Sequence, residues 1–211
     1  ADGHCSNALD YLIGFYQRRF MRLVPALIAF VLLTSFLICL FNPDPSLALK
    51  TAATSLFGLS NIYLLKQSTD YFAQSTDFNP FTHTWSLCVE GQFYLLFPFL
   101  TWLSGFAQQR LNGARNLFFC VQALAIASLI GFIFLYQINQ PAAYFLMPFR
   151  FWEIASGCLI YLGLLLTDIR QSLCHVPPLL VVVAMAGMMF LPIEAAVPAT
   201  VSIVALSAVL I

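Results

Sequence analysis

The chain is poor in charge. Only 9% of its 211 residues are Asp, Glu, Lys or Arg, while 61% are hydrophobic. Soluble domains carry about a quarter charged residues. The composition therefore excludes an ordinary soluble domain and points to a membrane protein in contact with a lipid bilayer. The formal net charge is zero, which argues against a nucleic-acid partner. Cysteines stand at positions 5, 39, 88, 120, 158 and 174. No two of them make a CxxC pair or a metal-ligand spacing, so no metal site is expected. Most lie in apolar runs, where a free thiol behaves as a small hydrophobe. The sequence also lacks a Gly-rich phosphate loop, a GxSxG turn, an HExxH pair and any fixed-period repeat. Its start has neither the charged region nor the short apolar core of a secretory signal. A polar beginning without Met and an end inside an apolar run read as an internal piece of a longer protein.

What is present is a series of apolar runs, at 20–41, 51–65, 85–103, 117–136, 144–166, 179–191 and from 197 onward. A helix of about 20 apolar residues crosses roughly 30 Å of hydrocarbon. The predicted fold class is all-α, a polytopic transmembrane helix bundle with six to seven membrane segments. Run 51–65 is too short for an untilted span, since about 15 residues rise only some 22 Å. Asn42-Pro43-Asp44-Pro45 breaks the chain after the first run. A polar loop with Asp70 and Asp77 follows the second run. Arg18 and Arg19 precede the first run, Arg22 stands among its first residues, and the three mark its cytoplasmic end. If every run spans, Arg110 and Arg115 fall on the opposite side. If 51–65 dips in and out, all these arginines and Arg170 share one side, which the positive-inside rule favours.

Charged groups within apolar runs cost about 2.5–3.5 kcal/mol and usually face the bundle interior. Glu90, Arg150 and Glu153 are such groups, with His83 at an entrance. On a helix from about His83, residues His83, Leu87, Glu90 and Tyr94 form one stripe, with Trp85 and Phe93 directed elsewhere. His83 has the range of a general base, or it anchors a helix end at the interface. Two turns, about 10 Å of rise, separate it from Glu90, too far for a direct bond. Tyr94, one turn beyond Glu90, is within hydrogen-bonding reach. Ser86 stands where a helix N-cap would. Arg150 and Glu153 can pair on one face, with Gly157 and Tyr161 continuing the stripe. Such a pair either neutralises itself or offers its arginine to an anion or to Glu90. Arg18, Arg19 and Arg22 are a topology signal or a phosphate site. His4 and His175 lie in polar connections and suggest nothing specific.

Three motifs then combine. FYQRRFMRLVPAL resembles the FYxRRxxRIxPA segment of the acyltransferase-3 family of integral membrane acyltransferases. HTWSLCVEGQFYLLFP resembles that family's HtWSLxVEEQFYxxxP signature almost letter for letter. FRFWEIASGCLI resembles its RxWElxxGxxL segment. The three motifs stand in the family's order across residues 15–160.

The resemblance implies that residues 1–211 are part of one bacterial inner-membrane domain of about ten helices, the spanning element a bilayer permits. It implies transfer of an acyl group, typically acetyl, from acyl-CoA as co-substrate to a carbohydrate hydroxyl. Acceptors in the family include O-antigen, peptidoglycan, exopolysaccharide and macrolide sugars, and full-length members can carry a C-terminal extramembrane domain. No permanently bound cofactor is implied. Arg19 and Arg22, with Arg18 beside them, would meet the donor's phosphates. His83, Glu90 and Tyr94 would carry the chemistry, and Trp85, Ser86, Arg150 and Glu153 would line the substrate cavity. Two departures from the pattern stand out. Position 91 is Gly where the family usually has a second Glu. The family's first helix, with an arginine and the main catalytic histidine, has no counterpart before Phe15, so this piece alone is expected to be inactive. A proton-linked transporter or flippase is the rival reading, since intramembrane Arg, Glu and His suit one too, although the broken internal halves of carriers are not visible. A structural subunit or an inactive fragment is the third.

Overall fold

The structure is a computed structural model that describes residues 8–69, 79–166, 178–188 and 196–210. Asp70, Asp77, Asp168, Arg170, His4, His175, Cys5, Cys174 and the last residues of run 179–191 lie outside the described residues. The helices are α1 (Ala8–Phe41), α2 (Ser46–Leu56), α3 (Ser60–Thr69), α4 (Thr84–Leu103), α5 (Gly113–Ile138), α6 (Gln140–Phe145), α7 (Met147–Leu166), α8 (Pro178–Met188) and α9 (Ala196–Leu210). Among the described residues there is no strand, and the fold is an all-α membrane helix bundle. Ala8–Phe41, Gly113–Ile138 and Gln140–Leu166 are long and apolar enough to cross a membrane.

Three apolar runs have boundaries that the sequence reading did not place. The first helix starts at Ala8, so Arg18 and Arg19 lie inside α1 with Arg22 and not ahead of it. Nothing between Ala8 and Arg19 breaks a helix, and Tyr11, Phe15 and Tyr16 give that stretch a face to pack. Run 51–65 is two helices, not one. Gly58 adopts φ +71°, the left-handed conformation that ends helices. The Leu59 N–H donates to the Thr54 carbonyl at 2.9 Å and the Gly58 N–H to that of Ser55 at 3.1 Å, the paired bonds of a Schellman motif. Run 144–166 breaks at Leu146, which is extended at φ −87°, ψ 128°. Pro148 has no N–H to continue a helix from α6, so α7 starts afresh at Met147.

The Gly58 turn supports a prediction. A Cβ there has room, with nothing within 4 Å, so the penalty is conformational alone. Gly58→Ala should destabilise by about 1–2 kcal/mol, read as a lower thermal midpoint of the detergent-extracted protein. An unchanged midpoint would mean that the turn relaxes freely.

Packing sets the helix directions. Tyr11 of α1 bonds Thr101 of α4 at 2.8 Å, and its ring lies 5.9 Å from that of Trp102. The Phe30 ring meets Phe81, just before α4, at 5.8 Å. The two helices are therefore antiparallel neighbours, and α2–α3 leaves and returns at one end of the pair. The loop carrying Arg110 starts from the other end, beside the first turns of α1. On the far side of α4, α5 and α7 also run antiparallel: Phe132 meets Trp152 with rings 6.0 Å apart, and Gly163 stands beside Phe118. Val89, Phe93, Leu117, Val121, Phe151 and Ala155 are buried at the junction of α4, α5 and α7. A smaller apolar cluster joins α1 to α2 through Val31, Ile38, Ala48, Ala52 and Phe81. α4 thus takes part in the first cluster and is joined to the second through Phe81, just ahead of it.

Candidate functional site

The signature segment begins with a tight turn. Asn79 accepts the Phe81 N–H on its side-chain oxygen at 3.0 Å, and its carbonyl accepts the Thr82 hydroxyl at 2.7 Å. α4 starts from this turn with His83 at the N-cap position, where the imidazole makes no capping bond. Ser86 is not the cap that its position suggested. It lies on the third residue of the helix, and its hydroxyl donates back to the His83 carbonyl at 3.1 Å, the usual habit of serine one turn into a helix.

Tyr94 donates its hydroxyl to Glu90 Oε1 at 2.5 Å. The Arg19 guanidinium stacks over the Tyr94 ring at 4.6 Å, and Phe15 meets the same ring edge-on at 6.4 Å. Arg22 lies one turn beyond Arg19 on α1 and is exposed. Arg18 diverges from its neighbours: its guanidinium folds back over Gly14 of its own helix. Of the three arginines, the structure brings Arg19 to α4 and leaves Arg18 and Arg22 exposed.

A cavity of about 240 Å³ opens between α4 and α7, lined by Trp85, Ser86, Val89, Glu90, Arg150, Glu153 and Ile154. Trp85 therefore shares a cavity with Glu90, against the expectation that it points elsewhere. At about 100° per residue, Ser86 and Tyr94 lie roughly 40° to opposite sides of Glu90. The Tyr94 side faces α1 and the Ser86 side faces α7. Glu90 is the residue common to both faces. Phe93 turns into the core, stacked on Phe97 at 5.2 Å and against Phe151 at 5.4 Å. His83 is exposed and is not among the residues lining the cavity.

Across the cavity, Arg150 is held on four sides. Its Nη1 donates to Glu153 Oε1 at 2.6 Å, and its Nε donates to the Tyr144 carbonyl at 3.3 Å. Its guanidinium lies 4.6 Å from the Tyr144 ring and 5.3 Å from the Trp85 ring. The pair is mostly buried, at 14% and 23% exposure. Arg150 and Glu153 line the same space as Glu90. Gly91, where the related pattern has Glu, is exposed with open space beyond its Cα.

One part of the site had no signal that the sequence reading used. Buried polar side chains fasten α2 and α3 to α4. Thr84 bonds Ser55 at 2.6 Å and Ser60 at 3.0 Å, and Ser60 bonds the Cys88 thiol at 3.0 Å. Cys88 is thus more than a small hydrophobe. Asn79 donates to Thr51 at 2.7 Å. Gln92 donates to the Gly58 carbonyl and to Asn61 Oδ1, each at 3.0 Å. The available clue was the density of Ser, Thr and Asn in a run too short to span.

A family model described as an acyltransferase domain matches residues 9–211. The chain belongs to the acyltransferase-3 family. An uncharacterised protein of Haemophilus influenzae is 36% identical over 152 residues, covering 69% of this chain and 61% of that protein. The O-acetyltransferase OatA of Staphylococcus aureus is 32% identical over 155 residues, covering 71% of this chain and 24% of OatA. This acyltransferase-3 chain thus aligns with less than two thirds of the length of either relative. No solved structure matches it significantly.

Proposed function

We propose that this acyltransferase-3 chain forms part of an O-acyltransferase of the bacterial inner membrane, crossing it several times, and that the cavity between α4 and α7 receives the acceptor. The donor is acyl-CoA, with acetyl favoured by the O-acetyltransferase name of a relative. The acceptor is a hydroxyl of a cell-envelope or exported glycan. The observation that carries this reading is the continuous line Arg19–Tyr94–Glu90. It joins a cationic face suited to phosphates to a carboxylate on the cavity wall. At about 240 Å³, the cavity is below the roughly 300–1,000 Å³ of sites that enclose drug-sized ligands. It suits one reacting sugar face, with the bulk of the donor held outside near α1.

In this reading a base takes the acceptor hydroxyl proton as the oxygen attacks the thioester carbonyl. The C–O bond forms, the C–S bond breaks, and the CoA thiolate leaves and is protonated. Glu90 accepts or orients the acceptor hydroxyl. Arg150 places positive charge where the oxyanion develops, and Glu153 and the two aromatic rings hold it there. His83, exposed at the α4 start, serves acceptor entry in this scheme.

The test uses the full-length protein in membranes with labelled acetyl-CoA and the native glycan. Arg19→Ala with Arg22→Ala should raise the KM for acetyl-CoA about tenfold or more, as expected when charge-assisted phosphate bonds worth about 1.5–3 kcal/mol are lost. An unchanged KM would remove the phosphate role. Substrate flux into vesicles without acyl transfer would favour a carrier.

A further inference from the structure

We infer that Asn61 and Gln92 form an amide clamp that positions Arg150 in the cavity, acting through the Gly58 turn and the end of α6. Neither residue lines the cavity, and neither touches Arg150. The inference rests on the reading of Arg150 as part of the acyl-transfer site.

A helix end leaves its last carbonyls without intrahelical donors, and in an apolar surrounding each unsatisfied one costs about 1–3 kcal/mol. Two carbonyls near α4 lack a backbone donor, one on Gly58 in the turn that joins α2 to α3 and one on Phe145 where α6 stops before Leu146. The clamp satisfies both. Gln92 Nε2 donates to the Gly58 carbonyl at 3.0 Å. Asn61 Nδ2 donates to the Phe145 carbonyl at 3.0 Å. The two amides also bond each other, Gln92 Nε2 to Asn61 Oδ1 at 3.0 Å. Asn61 is fully buried, so water cannot substitute for it.

The link to Arg150 is one peptide long. The carbonyl of Tyr144, next to that of Phe145, accepts from Arg150 Nε at 3.3 Å. The Tyr144 ring lies 4.6 Å from the guanidinium and 4.5 Å from the Trp85 ring, tilted at 47° to it. Asn61 and Arg150 therefore cap the same short helix through adjacent carbonyls. Releasing Phe145 frees the end of α6, and with it the acceptor and one ring that fix the guanidinium. A misplacement on the order of 1 Å can cost as much as a hundredfold in rate. Arg150 keeps Glu153 on its own helix, so loss of the clamp shifts the cation without removing it.

The readout is chosen to be independent of turnover. Trp85 lies under Arg150, so its emission reports the cation's position. In the full-length protein, the Trp85 contribution is the spectrum of each variant minus that of the same variant carrying Trp85→Phe. Arg150→Met sets the size of the full change. Asn61→Ala should reproduce most of it, and adding Arg150→Met should then change nothing further. Gln92→Met, which keeps the volume, should do the same and serves if Asn61→Ala fails to fold. Both variants should lower kcat about tenfold with the KM for acyl-CoA within twofold, the split expected of misplaced chemistry rather than lost binding. A native Trp85 emission in both variants, or a change that simply adds to that of Arg150→Met, would overturn the clamp. Full acyl transfer by Arg150→Met would instead overturn the role of Arg150 and leave the emission result to judge the clamp.

Discussion

Glu90→Gln in the full-length protein is expected to lower kcat for acyl transfer by about 10²–10⁴-fold, the range supplied by a positioned acid or base. The substitution is nearly isosteric. Glutamine keeps an oxygen that can accept the Tyr94 hydroxyl, now bonded to Glu90 at 2.5 Å, so α1 and α4 should pack as before. What it removes is the charge on the one α4 side chain that faces both Arg19's ring stack and the cavity. Expression and detergent stability should therefore be native, and the KM for acyl-CoA should change little because Arg19 and Arg22 remain. Radiolabelled acetyl transfer in isolated membranes measures the effect. Near-normal transfer would take Glu90 out of the mechanism. Tyr94→Phe provides the graded comparison. It removes only the hydroxyl that orients the carboxylate and keeps the ring under Arg19, so its loss should be smaller, on the order of a single hydrogen bond to a charged group, about 1.5–3 kcal/mol.

How much of this could be read beforehand depends on the range of the interaction. The Tyr94–Glu90 bond and the Arg150–Glu153 bridge link residues four and three apart on one helix. Helical periodicity predicts both, because such neighbours share a face. The all-α membrane class follows from the shortage of charge. The direction of Trp85 departs from the helical stripe for a geometric reason. A stripe of three- and four-residue steps describes one narrow face, whereas the cavity covers a wider arc and a large indole reaches into it. The fastening of α2 and α3 was out of reach for another reason. Asn61 and Phe145 are 84 positions apart, and nothing in an isolated Asn names the carbonyl it will meet. The Gly58 break was visible in principle, since a glycine in a run too short to span suggests a turn. Its consequence, a carbonyl turned toward Gln92, exists only once α4 has packed.

The second large effect separates structure from chemistry at the ion pair. Arg150→Met alone should destabilise the bundle by about 3–5 kcal/mol, the cost of leaving a buried carboxylate uncompensated. Glu153 is only 23% exposed, and Arg150 is the cation that pairs with it. Adding Glu153→Gln removes the stranded charge, and the double variant should recover most of the lost stability, since a buried pair replaced by neutral groups is often no less stable. The thermal midpoint measured in detergent should follow this pattern, falling for the single variant and rising again for the double. Acyl transfer should not follow it. If Arg150 stabilises an oxyanion, the double variant folds well yet remains at least about a hundredfold slow, the scale of losing one preorganised donor. If the pair serves only to neutralise itself during membrane insertion, activity returns together with stability. The divergence of the two curves, rather than either alone, decides whether the cation facing Glu90 belongs to the chemistry. Recovery of transfer in the double variant would leave Glu90 and Tyr94 as the working wall and return Arg150 to the scaffold.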